Sequence, residues 1–517
     1  MQPPGADTWH LPDALQVEAI LSALSAEFGH IAAPEYAATV MYADSFDWRL
    51  YQQGFLLHCH GQAWTLYHGD SSEVTVQQGG PELKRACFAQ DFPPGPLREI
   101  LQPILGIRCL LPMATVRLRG RQVRLLNRDE KTVARLVVET QQAMHSTSVF
   151  RLIRLFAVRG YDRELLHIRR ILAENGVQQP ASPMIGFTEG CRESGRRPLD
   201  YSSKFSLQLD PADTARQAMA RIYQVLLDSI ERNIPGVLED WDSEFLHDLR
   251  VAIRRTRSGL SLVTKVLPDA MAQRFKSSFG LLGRVTGPTR DLDVYLLNRD
   301  AYLDRLPPAL RPGLELYFAD LARRRQIEQK RLVRALRSKK SKAVLSAWRR
   351  SLHRPDRHPA PHAAMPVREL AGRIIAKRFK RVLRDGSGLH AVTPDAEVHL
   401  LRIQCKKLRY AIEFFSSLYP KDEIHLVVRQ LKRLQDILGS FNDLSVQQEM
   451  LRRTLAEQGC ESRHNALWAA ALGALMQSLY EEQEALRDHF TEAFEQFSDP
   501  ATIALFHDLF RKKQEPS

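Results

Sequence analysis

The sequence has few cysteines and no long apolar run. Its six cysteines include no Cys-x-x-Cys pair, and their spacing indicates neither a zinc site nor a disulfide framework, which fits a reducing compartment. No apolar stretch approaches the ~20 residues that a membrane-spanning helix needs. The first residues, MQPPGADTWHLPDALQ, lack a basic start and an apolar run, so we expect no signal peptide. These absences predict a cytoplasmic protein that does not cross a membrane.

Acidic residues are too few to balance the basic ones. The 517 residues contain 73 Lys and Arg against 60 Asp and Glu, a formal net charge of +13. This excess favours an anionic partner without identifying it. The composition, 44% hydrophobic and 26% charged, is that of a globular protein. Its length indicates roughly two to four domains.

The chain changes character near residue 205. Before it, short apolar runs alternate with turn residues, as in FLLHCHGQAWTLYHG, ATVRLRGRQVRLL and KTVARLVVE, which predicts strands in hairpins. Helices are predicted near 13–28 and 161–175, and the segment 176–203 is interpreted as a linker or an irregular crossover. From residue 205 onward the pattern is helical. Breaks are predicted at Asn233-Ile-Pro235, Leu267-Pro268, Gly287-Pro288, Pro307-Pro308, 353–366, Asp385–Gly388 and Pro420.

Two stretches of the helical region share one pattern. HDLRVAIRRTR begins at His247, and HLLRIQCKKLR begins 152 residues later at His399. A gapless offset over roughly eighty residues predicts a duplication, with helical repeats at 205–352 and 366–510 and a linker at 353–365. The same offset carries Arg216 onto Arg368, Arg221 onto Arg373, Pro268 onto Pro420, Gly287 onto Gly439 and Asp291 onto Asp443.

Each stretch predicts a helix with one cationic face and one apolar face. At about 100° per residue, the histidine and its four basic followers share one side. Asp248 is the sole carboxylate in the two windows, so an anion would relieve the repulsion between these cations. The alternative is an ordinary solvated face. The cationic faces hold His247, Arg250, Arg254, Arg255 and Arg257, then His399, Arg402, Lys406, Lys407 and Arg409; the apolar stripes hold Leu249, Ala252, Ile253, Thr256 and Leu260, then Leu401, Cys405, Leu408, Ile412 and Phe415.

Further cations are candidates for the same anion site. The run 321–350 holds twelve Lys or Arg against one acid, Glu328, and either extends the site or is a solvated face. A second recurring motif, GPTRDLDV against GSFNDLSV, matches Arg290-Asp291 with Asn442-Asp443. The candidates on the preceding helices are Arg216, Arg221, Arg368, Arg373, Lys377 and Arg378, and Arg290 joins them.

The acids and histidines of these motifs have competing interpretations. Asp291 and Asp443 either bind a metal or, as we favour, cap helices or orient basic side chains. No nucleophile recurs beside His247 and His399 at catalytic spacing, so we favour contact with an anion over catalysis. We therefore predict no catalytic residue, no metal and no cofactor.

Two anions present a line of phosphates: nucleic acid and inorganic polyphosphate. Proteins that bind single strands usually interleave aromatic side chains for base stacking, and these windows contain few, Tyr410 and Trp348 being the exceptions. No mixture of Asn, Gln and Arg suggests reading of base edges. Arginine and lysine without stacking groups favour a ligand made of phosphate alone.

The region 205–510 resembles the CHAD domain, a helical domain named for its characteristic histidine. The resemblance rests on HDLRVAIRRTRSGL, LLGRVTGPTRDLDV, HLLRIQCKKLRYAIEFF and LKRLQDILGSFNDL. It implies two pseudo-symmetric helical bundles and a basic groove or pore that binds inorganic polyphosphate, often at polyphosphate granules. The family's basic positions match the eight motif cations, and its histidines match His247 and His399; Asn442 departs by standing where the first copy has Arg290.

Residues 1–203 resemble a degenerate CYTH domain, the triphosphate-tunnel fold often fused ahead of CHAD. The resemblance rests on YADSFDWRLYQQGFLL, WTLY, KTVARLVVE, GYDRELL and SSKF. The opening Glu-x-Glu-x-Lys strand is missing, and the later Glu-x-Glu is reduced to Val137-Val138-Glu139. Histidines and a tyrosine replace basic residues at His58, His60 and Tyr67. Candidates for a remaining basic tunnel are Arg117, Arg119, Arg121, Arg124 and Lys204.

We therefore predict a multidomain protein. An α+β domain with a tunnel-like β-barrel (1–203) precedes an all-α, duplicated helical bundle with pseudo-two-fold symmetry (205–510). The predicted function is polyphosphate binding at cytoplasmic granules, without enzymatic activity. The alternatives are a metal-dependent triphosphatase or cyclase in the first domain and a nucleic-acid-binding module; the oligomeric state stays open.

Overall fold

The computed structural model describes residues 7–68, 74–354, 359–457 and 463–511. The chain divides into two compact units, Met1–Ser203 and Lys204–Ser517. Three features of the sequence analysis lie partly or wholly outside the described residues: the start of the chain, where no signal peptide is expected, residues 355–358 of the predicted linker, and Cys460.

One antiparallel sheet forms the centre of the first unit. Its strands in the described residues are β1 (Asp7–His10), β2 (Gly29–Ala32), β3 (Tyr36–Asp44), β4 (Phe55–His60), β5 (Ala63–His68), β6 (Val74–Gly79), β7 (Leu111–Leu126), β8 (Thr132–Ala143) and β9 (Phe150–Ala157). The order is β1-β9-β8-β7-β3-β4-β5-β6, and β2 pairs with β7. The predicted α+β class is confirmed. The sheet is compatible with a tunnel-like fold, although no pairing joins its end strands β1 and β6 in the described residues.

The hairpin of β4 and β5 shows why these residues form strands. Apolar side chains alternate with polar ones, so Leu57, Cys59, Trp64 and Leu66 are buried on one face. The two strands are joined at Gly61, whose φ of 59° is a left-handed value that glycine adopts without strain. The sequence-based prediction of this hairpin is confirmed.

Five helices accompany the sheet in the described residues of the first unit. Two of them confirm the helices predicted near 13–28 and 161–175. The helices are α1 (Val17–Ser25), α2 (Arg49–Gln52), α3 (Pro96–Leu105), α4 (Asp162–Glu174) and α5 (Ile185–Glu193).

Helix α5 corrects the interpretation of 176–203 as a linker. Two glycines let the helix approach the sheet closely. A Cβ on Gly190 would lie 2.8 Å from the Ala114 Cβ, and one on Gly186 would lie 2.9 Å from the Gln141 Cβ. Phe187 and Cys191 are buried between the helix and the sheet. The sequence does not predict this helix, because its packing depends on two glycines, which have no side chain, rather than on a periodic row of apolar residues.

Replacing Gly190 by leucine should push α5 away from β7. Because the added side chain has no space against Ala114, we expect a loss of about 1–3 kcal/mol in the free energy of unfolding, measured by urea denaturation. Thr188→Leu is the matched control on the exposed face of the same helix. Equal stability of the two variants would contradict the described packing.

The second unit is helical throughout its described residues. Its helices are α6 (Ala215–Glu239), α7 (Ser243–Leu262), α8 (Asp269–Val285), α9 (Gly287–Leu297), α10 (Arg299–Asp304), α11 (Arg311–Arg337), α12 (Lys339–His353), α13 (Val367–Gly386), α14 (Asp395–Phe415), α15 (Lys421–Glu457), α16 (Arg463–Arg487), α17 (Phe490–Phe497) and α18 (Pro500–Arg511). The helix starts repeat at the 152-residue offset: α6, α7, α8 and α11 correspond to α13, α14, α15 and α16. The predicted duplicated all-α bundle is confirmed.

Local sequence explains where the two copies differ. Pro288 lies in the first turn of α9, where it ends the path of α8, whereas Ser440 at the equivalent position lets α15 continue unbroken. Conversely, Pro500 begins α18 and separates it from α17, where the first copy has the single helix α12. The break predicted at Pro235 is wrong: α6 runs on to Glu239 with this proline inside its last two turns.

The apolar stripes predicted on the two motif helices are confirmed. Every one of their ten side chains is buried, on α7 and on α14 alike. The opposite faces of these helices are left for the cations. No helix among the described residues combines the length and the apolarity needed to cross a membrane.

Candidate anion-binding site

The two motif helices, α7 and α14, pack against each other. The Arg254 Nε donates a hydrogen bond of 2.7 Å to the Tyr410 hydroxyl, and the Arg255 Nη2 lies 2.9 Å from a Glu413 carboxylate oxygen. Both contacts join the first repeat to the second. The cationic faces that the sequence predicts separately are therefore neighbours in space.

Four cations form what we call the inner cluster: Arg250, Arg254, Arg402 and Lys406. Burial lowers the pKa of Arg250, and repulsion from Arg254 lowers it further. Burial likewise lowers the pKa of Arg402, to which the nearby Arg254 also contributes. Lys406 has its pKa lowered to about 8, first by burial and then by Arg402 and Arg254. The same arginine thus repels cations of both repeats, which places the cluster at their junction.

Each of the recurring aspartates lies beside one cation of this cluster. Arg250 lies 3.9 Å from Asp291, and Arg402 lies 3.0 Å from Asp443, an equivalent pair at the 152-residue offset. Both aspartates lie inside helices, α9 and α15, so the capping role is wrong. Arg402 donates a hydrogen bond to Asp443, as the orienting role requires, whereas Arg250 donates to the Gly283 carbonyl and the Thr286 hydroxyl. In the described residues, no three His, Cys, Asp or Glu side chains are grouped as a metal site requires.

The two histidines have opposite hydrogen-bond roles. Arg290 Nη2 donates to His247 Nδ1 at 2.9 Å. Since a guanidinium only donates, Nδ1 accepts and the neutral ring carries its proton on Nε2. His399 Nδ1 instead contacts the Asn442 Oδ1, so this nitrogen donates. The Arg290-to-Asn442 difference noted in the sequence therefore reverses which ring nitrogen holds the proton.

Glu413 is an ion-pair partner of two of the predicted ligands. It accepts from Arg255 at 2.9 Å and from Arg409 at 2.7 Å, using one carboxylate oxygen for each. Its side chain is 18% exposed. Sequence reasoning did not single out Glu413, although HLLRIQCKKLRYAIEFF includes it, because it lies four residues beyond Arg409 and outside the recurring basic pattern.

The remaining motif cations, Arg257 and Lys407, lie apart from the inner cluster. Burial lowers the pKa of Lys407, followed by repulsion from Arg378, Arg381 and Lys276. The predicted ligands Lys377 and Arg378 line an open depression of about 490 Å³ on α13. We call Arg257, Lys276, Lys407, Arg378 and Arg381 the outer cluster; Lys276 is a member that sequence reasoning missed.

Four other predicted ligands have local partners. Arg216 donates to the Ser351 carbonyl at 3.1 Å, at the end of α12. Arg221 pairs with Asp213 at 2.7 Å, and Arg373 pairs with Glu369 at 2.6 Å. The Arg368 guanidinium lies 5.9 Å from the centre of the Tyr419 ring. Their role as anion ligands stays a prediction.

The basic run 321–350 does not form one uniform cationic face. Five of its arginines are paired with acids, which is typical of a solvated, salt-bridged surface. The pairs are Arg323 and Arg324 with Asp320, Arg325 with Asp240 and Asp293, Arg331 with Glu328, and Arg349 with Asp228 and Glu231.

Comparison with known families identifies the helical region. The family model of the CHAD domain matches residues 221–452, which span α7, α14 and the inner cluster. These residues form a CHAD domain. Two similar solved structures are the crystal structure of the CHAD domain from the plant Ricinus communis, with 26% identity over 59% of this chain and 95% of that chain (TM-score 0.47), and PptA from Streptomyces chartreusis, with 17% identity over 55% and 100% (TM-score 0.45). The search of curated proteins gives no match.

Outside the CHAD domain, the buried carboxylates among the described residues of the first unit are Asp44, Asp47 and Glu139, of which Glu139 lies on β8. Tyr36 donates to it at 2.6 Å, Gln141 donates at 2.8 Å, and Arg154 lies 3.4 Å away. Burial and the Glu139 charge raise the pKa of Tyr36, and burial lowers the pKa of His58 to about 4. The side chains described around Glu139 are thus neutral, apart from Arg154.

Two of the arginines predicted to line a basic tunnel, Arg117 and Arg119, do not share the face of Glu139. Gly120 lies opposite Glu139 in the sheet, so alternation turns Arg117 and Arg119 to the other face, where they are exposed. The prediction is wrong for these two residues. Of the other three, Arg121 lies 3.0 Å from Glu18, Arg124 is exposed, and Lys204 belongs to the second unit.

The lowered pKa of Lys406 in the CHAD domain predicts how the free energy of unfolding depends on pH. Its pKa falls from 10.5 to about 8 on folding. Between these pH values the unfolded chain holds the proton and the folded one does not, so the free energy of unfolding rises with pH. We expect the unfolding free energy of wild type to increase from pH 8 to 10.5 relative to Lys406→Met, measured by urea titration. A flat difference would mean that the folded protein does not depress this pKa.

Proposed function

We propose that the CHAD domain binds inorganic polyphosphate across the junction of α7 and α14. The observation that carries the proposal is the inner cluster, where burial and neighbouring cations lower the pKa of Lys406 to about 8. Crowding cations from two repeats costs free energy, and a multivalent anion removes that cost by neutralising them together.

The aromatic side chains favour polyphosphate over nucleic acid. Tyr410 is 8% exposed and its hydroxyl is engaged by Arg254, while Trp348 is fully buried. Neither ring is available for base stacking, on which binding of single strands generally depends. Arginines and a lysine suffice for a ligand that is phosphate throughout.

The family assignment supports the same ligand, since the CHAD family is linked to polyphosphate binding. Affinity should come from many weak contacts, so it should increase with chain length and fall with salt. We further propose that binding holds the protein at polyphosphate granules in the cytoplasm and that the chain acts as a binding protein rather than as an enzyme.

The test is a titration of the full chain with long-chain polyphosphate at two salt concentrations. We expect Arg254→Glu with Lys406→Glu to weaken binding more than about tenfold, because the double variant reverses two charges of the inner cluster. Lys339→Glu with Lys340→Glu makes the same charge change on exposed positions of the basic run, at the start of α12.

The matched pair separates a site from general charge attraction. Unchanged binding by the first double variant, with its fold retained by circular dichroism, would contradict the proposal. Equal losses in the two double variants would contradict it as well. A competition at equal phosphate concentration adds a second criterion: displacement of polyphosphate by single-stranded nucleic acid would overturn the choice of ligand.

A further inference from the structure

The duplication gives the anion site two pseudo-equivalent sides. At the 152-residue offset, Arg255 corresponds to Lys407, and Arg257 corresponds to Arg409. We call the surroundings of Arg255 and Arg409, with α6 and α15, the Glu413 side. The surroundings of Arg257 and Lys407, with α8 and α13, are the Lys407 side. If equivalent positions of the two repeats carried the same charges, the two sides would have similar net charge.

On the Glu413 side a carboxylate offsets part of the charge of the motif cations, and both cations are partly covered. Glu413 accepts a hydrogen bond from both arginines, whose side chains are 14% and 28% exposed. The Phe205 ring lies 5.8 Å from the Arg255 guanidinium and packs edge-on against Phe414. A phosphate approaching Arg255 would therefore meet a carboxylate and an aromatic ring.

On the Lys407 side the position equivalent to Glu413 is Ser261. Its hydroxyl donates to the Arg257 carbonyl on the same helix, one turn back, and adds no charge. The groups that shift the pKa of Lys407, besides burial, are the cations Arg378, Arg381 and Lys276. No ion pair engages any member of the outer cluster in the described residues.

The outer cluster borders two open depressions. One, of about 490 Å³, lies on α13 among Lys377, Arg378, Lys380, Arg381 and Arg384. The other, of about 320 Å³, is lined by α7 and α8 and includes Arg257, Lys276 and Arg284. Lys407 is close to cations of both, so the two depressions are neighbours that can hold successive phosphates.

Of the cations of α8 and α13 named above, only Arg384 has a cationic counterpart at the 152-residue offset, Arg232. Helix α6 has Val225, Leu226, Asp228 and Ser229 where α13 has Lys377, Arg378, Lys380 and Arg381, and α15 has Val428 and Asp436 where α8 has Lys276 and Arg284. Helix α15 does carry Arg429, Lys432 and Arg433. These three cations share their side with the carboxylates of Glu413, Asp228 and Asp436.

We propose that a bound polyphosphate chain extends from the inner cluster toward the Lys407 side alone, along α8 and α13, and that Glu413 closes the other side. This inference rests on the proposed function and adds a direction to it. The outer cluster then sets chain-length preference, because long chains reach it and tripolyphosphate engages the inner cluster alone.

Two double variants of the full chain test the direction. Lys276→Glu with Arg381→Glu alters the Lys407 side, and Arg429→Glu with Arg433→Glu makes an equal charge change on the Glu413 side; all four residues are exposed. We expect the first variant to weaken binding of long-chain polyphosphate at least about tenfold and the second to change it less than about twofold. Tripolyphosphate should bind both variants about equally, since neither alters the inner cluster.

A single substitution tests the closing role of the carboxylate. Ser261→Glu places on the Lys407 side the acid that the other side has at Glu413, and it should weaken long-chain binding. Ser261→Gln, of the same size but uncharged, should bind as wild type does. Equal effects of glutamate and glutamine would overturn the electrostatic argument.

The outcomes separate this inference from the proposed function. If the wild-type chain does not bind polyphosphate, both the proposed function and this inference are wrong. If wild type binds and Arg254→Glu with Lys406→Glu abolishes binding, but the α8–α13 and α15 variants lose equally or not at all, the one-sided path is wrong while the function stands. A larger loss in the α15 variant would reverse the direction.

Discussion

The packing of α7 against α14 is the contact on which the site depends. Each helix buries an apolar stripe, and burial of those stripes leaves the basic faces no freedom to turn away from each other. Hydrophobic burial therefore enforces an electrostatic cost: Arg254 of one repeat lies near Arg402 and Lys406 of the other. A site of this kind is preorganised, because burial of apolar side chains in the core supplies the free energy that holds the cations close together.

The two helical repeats share one fold, and differences at single positions change the structure and charge of each repeat. Pro288 breaks a helix that its counterpart leaves continuous. Arg290 and Asn442 give the two histidines opposite donor and acceptor roles. Glu413 pairs with two arginines where Ser261 adds no charge. In each case the change lies in one residue, so the overall fold is pseudo-symmetric while one helix break and the charge distribution are not.

Much of the second unit was predictable because its signals are local or periodic. The repeat offset, the helix breaks at Pro268, Gly287 and Pro420, and the buried stripes all follow from residue spacing. The sequence-based predictions were wrong where the structure depends on contacts between residues that are distant in the chain, or where a local pattern was given too much weight. Pro235 lies inside α6, which continues past it to Glu239, and α5 depends on two glycines fitting against distant strands. Arg117 and Arg119 form a basic stripe, yet strand alternation relative to Glu139 turns them away from the interior.

The sequence by itself determined that the chain is duplicated, that each copy carries a cationic helix face, and that a CHAD domain accounts for both. It did so because periodicity and offset are properties of residue order. Tertiary structure alone decided which cations meet. Arg216, Arg221, Arg368 and Arg373 resemble the motif cations in sequence; each has a local partner, and their role as anion ligands stays a prediction. Lys276, outside every motif, and Glu413, outside the recurring basic pattern, join the site because electrostatic interaction depends on distance in space rather than on separation along the chain.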